Sequence, residues 1–255
     1  MVERLFSLSG RRALITGSSR GIGLALARGL GRAGAALVLN GRDEGALAQA
    51  EATLRDEDLD VATSRFDASD PDAVARAVGE AEAAHGPIDV LVNNAGVQHR
   101  APLESFPFEA WSALMRTNLD GPFIVAQAVA RGMIERRRGA IINIASVQSE
   151  LARPGIAPYA ASKGAIKMLT KGMAVDWGRH GIRVNALAPG YFRTDLNHAL
   201  VEDAAFSAWL SGRTPLGRWG EVEELVGAAV FLASDAASFV TGHVLYVDGG
   251  ITSAL

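Results

Sequence analysis

Tyr159 and Lys163 stand four residues apart at the start of a helix-forming stretch, and so on one face of it. Of 25 basic residues only three are lysines, Lys163, Lys167 and Lys171, and all three fall in this stretch. A lysine beside a phenol supplies a compact point charge, which arginine's broad fork does poorly. A free phenol has a pKa of about 10 and is a poor base at neutral pH. An ammonium fixed about 4 Å away contributes on the order of 4 kcal/mol at an effective dielectric of about 20. That is roughly three pKa units, enough to bring the phenol to about 7, where it gives and takes protons efficiently. The expectation is a general acid/base pair, with Tyr159 lowered by Lys163. Lys167 and Lys171 read as a solvated stripe drifting off that face.

Ser146 ends an apolar run, thirteen residues before Tyr159, where its hydroxyl could hold a substrate oxygen; a turn-initiating serine is an equally good reading in isolation. Asn118 lies within a long helical pattern, where asparagine has modest propensity. It is either a polar residue that bends the helix or part of a proton relay. Near the N-terminus, Thr16-Gly17-Ser18-Ser19-Arg20-Gly21-Ile22-Gly23 connects a strand-like run to a helix. Gly17 suits a tight turn, Gly21 lets a backbone approach a pyrophosphate, and Gly23 allows helix and strand to pack closely. The helix start behind them offers free N–H groups and partial positive charge to phosphates. The next strand ends at Asn40-Gly41-Arg42-Asp43. Asn40 is neutral where an enzyme selecting NAD usually carries an acid, and an arginine there accommodates the 2′-phosphate of NADP. Arg20 and Arg42 would form a charge-assisted clamp on that phosphate. Asp43 reads as the N-cap of the following helix. The expected cofactor is NADP, with NAD the lesser choice.

These residues need a scaffold, and the chain alternates short apolar runs with longer helical patterns. Strands are expected at Ala13–Thr16, Ala35–Asn40, Val61–Arg65, Val90–Asn93, Ala140–Ala145, Arg183–Ala188 and Val244–Val247. The first six show little strict alternation, as expected where both faces are covered. Helices are expected at Gly21–Ala33, Glu44–Glu57, Asp72–His85, Phe108–Arg137 and Tyr159–Trp177. That order means βαβ units and a parallel sheet, one doubly wound α/β domain across residues 1–255. The exception is Gly190–Gly220, which has no strand pattern and contains Tyr191, Phe192, Trp209 and Trp219. At the carboxyl end of a parallel strand it reads as a partly helical substrate lid.

Composition narrows the chemistry. With 255 residues and no cysteine, disulfides, thiolate nucleophiles and Cys-ligated zinc are excluded. A net charge of −3 argues against a nucleic-acid or anionic-membrane binder. Met1–Gly10 lacks the apolar core of a secretory peptide, and the longest apolar runs fall well short of a membrane span. A cytoplasmic protein is expected.

Taken together, Thr16–Gly23, Asn93-Asn94-Ala95-Gly96, Asn118, Ser146, Tyr159-x-x-x-Lys163 and Pro189-Gly190 resemble the short-chain dehydrogenase/reductase family over essentially the whole chain. The resemblance implies a seven-stranded, mostly parallel Rossmann sheet with helices on both faces, a homotetramer, and hydride transfer between a nicotinamide and a carbonyl or alcohol carbon. It implies Tyr159 as general acid/base and Lys163 as the group that lowers its pKa and binds the nicotinamide ribose. Ser146 would position the substrate oxygen, and Asn118 would anchor a proton-relay water. Ser19, Ile22, Asn93, Ala95, Gly96, Pro189, Gly190, Phe192 and Thr194 would line the cofactor, and Asp67 would meet the adenine.

A narrower resemblance, carried by Val97–Arg100, Ser146–Leu151, Ala188–Phe192 and Trp209-Leu210, is to the members of that family that interconvert 5-ketogluconate and gluconate. A sugar acid needs a cation for its carboxylate, and Arg100 is the candidate; an exposed loop arginine is as good a reading. Gln148, Glu150, Tyr191 and Trp209 are the candidates for the rest of the substrate. His99 stands where those relatives commonly carry arginine. Two alternatives remain open: a 3-oxoacyl-(acyl carrier protein) reductase, and a non-catalytic nucleotide-sensing regulator on the same fold.

Overall fold

A computed structural model describes residues 2–254. Seven strands form one sheet in the order β3-β2-β1-β4-β5-β6-β7, every pair parallel. They are β1 Arg12–Ile15, β2 Ala36–Gly41, β3 Val61–Arg65, β4 Val90–Asn93, β5 Gly139–Ile144, β6 Ile182–Pro189 and β7 Val244–Val247. The helices are α1 Val2–Phe6, α2 Gly21–Arg32, α3 Glu44–Arg55, α4 Pro71–His85, α5 Phe108–Met115, α6 Gly121–Arg136, α7 Ala157–Trp177, α8 His198–Val201, α9 Ala204–Arg213 and α10 Val226–Ala233.

The absence of alternation in the strand sequences has a direct cause. Successive strand residues point to opposite faces, and in the central strands both faces are dry. Ala13 and Ile15 of β1 pack with Leu26, Leu30 and Ala229 on one side, whereas Leu14 packs with Val74, Val125 and Val129 on the other. The same split separates Val90 and Val92 from Leu91 in β4. Each fully buried leucine or isoleucine contributes about 1.5–3 kcal/mol relative to exposure.

The helix starts follow local chemistry. Asp43 accepts from Ala46 N at 2.9 Å and caps α3. Asp70 accepts from Asp72 N and Ala73 N, with Pro71 in the first turn of α4. The stretch expected as one helix over Phe108–Arg137 is two, α5 and α6, joined by a π-turn at Arg116–Asp120. Such turns shift the hydrogen-bond register and re-aim side chains, often at functional sites. This one presents Asn118 inward, buried.

The strand order reverses between β1 and β4, and ligands bind such sheets outside the carboxyl ends of the strands at that switch point. The loops after β1 and β4 meet there so closely that a Cβ on Gly17 would stand 2.9 Å from Ala95 Cα. After β6, residues 191–220 form an excursion holding α8 and α9. Leu210 and Trp219 from it pack with Val147 and Ile251, over the turn that follows Ser146.

Candidate active site

One cavity of about 760 Å³ runs along the carboxyl ends of the strands, from the glycine turn to α7 and the excursion after β6. Its size is in the upper range for a small-molecule site.

At the first end, Gly17, Ser19, Arg20, Gly21, Ile22 and Gly23 line the wall and lead into α2. Gly17 has φ of +61°, a conformation that side chains with a Cβ resist. A Cβ on Gly23 would fall on the Gly17 carbonyl and 2.5 Å from the Asn94 amide. Arg20 stands at the N-cap of α2 without a side-chain cap bond, so the first N–H groups of this helix are not used by a capping side chain. This is a cradle for a phosphate, and it fits a dinucleotide.

The turn is held by side chains whose roles differ from those expected. Asn93 is not on the cavity wall. Its Nδ2 donates to the Asn143 side chain at 2.9 Å and to the Pro122 carbonyl, because the last residue of β4 faces the α6 side of the sheet. Its neighbour Asn94 faces the cavity and donates to the carbonyls of Thr16 and Gly17. Thr16 Oγ1 accepts from the N–H groups of Asn94 and Ala95. Asn40 touches the cavity but is only 2% exposed. Its amide donates to Ser64 and Phe66 and its oxygen accepts from Gly17 N, so it shapes the turn with its whole amide engaged.

Beyond Asn40, Arg42, Asp43 and Asp67 line the same end as Arg20. Arg42 is largely exposed and lies 3.6 Å from Asp67. Asp67 accepts from the Ser69 N–H and hydroxyl, and these bonds, with Arg42 beside it, hold its carboxyl below the usual range. Two guanidiniums on an open rim suit a phosphate monoester.

In the middle of the cavity stand Ser146, Tyr159 and Lys163, with Ala95, Gly96, Pro189, Gly190, Phe192 and Thr194 on the surrounding wall. Lys163 is buried and its Nζ donates to the Ile144 carbonyl at 2.6 Å. It lies over the Tyr159 ring, 5.7 Å from the centroid. Burial lowers its pKa to about 8. The expected lowering of Tyr159 does not hold in this arrangement. Burial pushes the phenol up, and the Ser146 hydroxyl and Arg100 only partly oppose it. The reason is geometric: the ammonium is committed to a main-chain carbonyl and faces the ring.

Asn118 is behind the wall. Its Oδ1 accepts from Val97 N at 2.8 Å, and its Nδ2 donates to Val97 O at 2.9 Å and toward Ser162 Oγ. Any proton relay at this position must therefore use the main chain of the π-turn, since the side chain is occupied.

At the far end, Gln148 and Tyr191 face the cavity. Gln148 N donates to Ser146 Oγ, and Gln148 Nε2 donates to the Tyr191 phenol at 3.2 Å. Three expected substrate residues are elsewhere. Arg100 is exposed, off the cavity wall, with its guanidinium on Gln98 Oε1 at 3.1 Å. Glu150 turns outward to Lys167 and to the Tyr246 hydroxyl, because it follows the short 3-10 turn Val147–Ser149 by one residue. Lys167 is accordingly half of an ion pair and not a solvated stripe. Trp209 is 51% exposed on the outer side of α9, against Phe206.

Sequence reasoning passed over Asn94 and Arg153. Arg153 lines the cavity with its guanidinium 5.5 Å from the Phe206 ring centroid and next to the Tyr191 phenol. The available signal was position: a loop joining Ser146 to Tyr159 must border whatever those two residues face.

The family described as enoyl-(acyl carrier protein) reductase matches residues 17–252. The chain is 62% identical over 251 residues to a gluconate 5-dehydrogenase of Gluconobacter oxydans (strain 621H), covering 98% of each. It is 51% identical over 251 residues to a 5-keto-D-gluconate 5-reductase of Escherichia coli (strain K12), covering 98% of this chain and 99% of that one. The crystal structure of a gluconate 5-dehydrogenase from Burkholderia cenocepacia J2315 in complex with NADP and tartrate superposes with a TM-score of 0.98 at 62% identity, over 100% of both chains.

Proposed function

The chain belongs to the short-chain dehydrogenase/reductase family, and from that premise we propose that it is an NADP-dependent oxidoreductase interconverting 5-ketogluconate and gluconate. The observation that carries this reading is the continuity of one cavity from the arginine-rimmed glycine turn to Ser146, Tyr159 and Lys163.

NADP would be held by the Gly17–Gly23 turn and the start of α2, with its 2′-phosphate at Arg20 and Arg42 and its nicotinamide end beside Lys163. When bound, it supplies or accepts the hydride. The protein's own groups manage the proton. In reduction, Ser146 holds the ketone oxygen and Tyr159 donates its phenolic proton to that oxygen as charge develops there. In oxidation the phenolate takes the proton back. Lys163, still mainly protonated at neutral pH with a pKa of about 8, holds its ammonium on the Ile144 carbonyl and over the Tyr159 ring, where it fixes the tyrosine at the nicotinamide end of the cavity. Asn118 fixes the Val97 main chain and with it the wall beside Gly96. Val147 under Leu210 and Trp219 ties the excursion after β6 to the Ser146 turn, so that cover excludes water from the reacting end.

The reading includes a cytoplasmic location and a homotetramer. No described helix is long and apolar enough to cross a membrane. Phe123 on α6 and Met168 and Val175 on α7 are exposed, and they offer apolar surface for subunit contact.

The test is a steady-state assay of NADPH oxidation with 5-keto-D-gluconate and with acetoacetyl thioesters. Turnover of the sugar acid supports the reading. Turnover of the thioesters alone transfers the assignment to an acyl carrier protein reductase, and binding of NADPH with no turnover of either transfers it to a nucleotide-sensing role.

A further inference from the structure

We infer that Arg153 is the anchor for the substrate carboxylate, and that Gln148 Oε1 beside it accepts a hydrogen bond from a substrate hydroxyl. This rests on the proposed sugar-acid reading and assigns the end of the cavity that reading leaves open.

Arg153 lies on the cavity wall, half-buried, with its guanidinium face on the Phe206 ring and its edge toward Tyr191. Among the described residues no carboxylate pairs with it. A guanidinium held by an aromatic face keeps its five donors directed outward, a fork that matches a carboxylate. Arg100 approaches from the exposed side, and burial together with Arg153 beside it holds the Arg100 guanidinium below its usual value. The groups that oppose this are two phenols, Tyr191 and Tyr159, with no acid among them. Arg153 on the wall, with Arg100 behind it on the exposed side and no acid between them, makes this end of the cavity positive, and an anion relieves the repulsion.

Gln148 supplies an independent sign. Its Nε2 is used by Tyr191, but its Oε1 is buried without a hydrogen-bond partner. An orphaned buried acceptor is destabilising, and a ligand hydroxyl donated to it removes that cost. Contacts on the cavity wall link Ser146 to Gln148, Gln148 to Tyr191, and Tyr191 to Arg153. In a six-carbon 5-keto acid the carboxylate and ketone carbons are four bonds apart, roughly 5 Å when extended. The hydroxyls lie between them, as Gln148 and Tyr191 stand between Ser146 and Arg153 in that chain of contacts.

Arg153→Met and Arg153→Lys are compared with the wild type as NADPH-loaded proteins. With 5-keto-D-gluconate, Arg153→Met raises KM about tenfold or more while kcat changes by less than about threefold, and Arg153→Lys recovers part of the loss. By calorimetry on the NADPH-loaded proteins, where gluconate cannot react, wild type prefers D-gluconate over D-gluconamide at least about tenfold, and Arg153→Met abolishes that preference. An unchanged KM in Arg153→Met, or equal binding of the acid and the amide by wild type, overturns the anchor. Absence of 5-ketogluconate turnover in wild type overturns the underlying activity instead, and the calorimetric comparison then still decides the anchor.

Discussion

Lys163 Nζ donates to the Ile144 carbonyl at 2.6 Å, so a buried ammonium joins α7 to the end of β5, two residues before Ser146. One charge thus supports both the strand end that presents the serine and the helix that presents the tyrosine.

The burial of this ammonium leaves a signature in stability. The ordinary lysine value is 10.5, and burial lowers Lys163 to about 8 in the folded protein. Below pH 8 both folded and unfolded chains carry the proton, and the cost of burying the charge is fully present. As pH rises from about 8 toward 10.5 the folded chain releases the proton first, so this group's contribution to stability rises with pH. Between pH 8 and 9.5 the gain is on the order of 2 kcal/mol. Urea unfolding of wild type and Lys163→Met at pH 7.5 and 9.5 measures it. Wild type gains on the variant over that interval, and a constant difference contradicts the assignment. Staying below pH 10 keeps Tyr159, whose raised pKa acts in the opposite direction, out of the comparison.

Tyr159→Phe keeps the ring under Lys163 and removes the proton donor. Turnover of 5-ketogluconate falls by about 10²–10⁴-fold, the usual weight of a general acid/base. NADPH affinity, followed by nucleotide fluorescence, stays within about threefold. Retained turnover places the proton elsewhere.

Arg42→Ala separates the two nicotinamide cofactors. The arginine is on the rim with one ion-pair contact to Asp67 at 3.6 Å, so its loss costs the fold little. KM for NADPH rises about tenfold, as expected for one exposed charge-assisted contact. KM for NADH changes less than about twofold, and equal losses for both dismiss the phosphate clamp.

Gly23→Ala tests the close packing of α2 on the first turn. The new methyl meets the Gly17 carbonyl and the Asn94 amide, both fixed by other bonds. Destabilisation of about 2–3 kcal/mol follows from overpacking that backbone cannot relieve. Urea denaturation reads the loss, and NADPH affinity falls with it.

Much of the scaffold was legible because a strand buried on both faces announces itself as a short apolar run, as β4 does; the edge strands β3 and β7 also begin and end where their sequences suggest. The glycine turn and the Tyr159–Lys163 spacing were legible because their chemistry restricts residue type. What escaped depends on direction. Asn93 and Asn94 are neighbours of one type, and only the pleat of β4 decides that the first serves Asn143 and the second the cavity. Glu150 and Gln148 are two apart, and a 3-10 turn sends one outward to Lys167 and the other inward. The effect of Lys163 on Tyr159 escaped for a different reason. Spacing places both on one helix face, but the Ile144 carbonyl that captures the ammonium is contributed by a strand 19 residues earlier.

The excursion after β6 closes on itself. Gly220 N donates to Tyr191 O at 2.9 Å and Arg193 N donates to Gly220 O at 3.0 Å, so its two ends meet in a short parallel bridge, with Phe192 paired to Gly220. A loop with joined ends behaves as a cassette: residues 195–219 can be exchanged for those of a relative with another substrate while the bridge, the sheet and the nucleotide cradle keep their geometry. Substrate range in this scaffold can therefore diverge faster than its cofactor chemistry, and a grafted cassette is the shortest route to redirecting it.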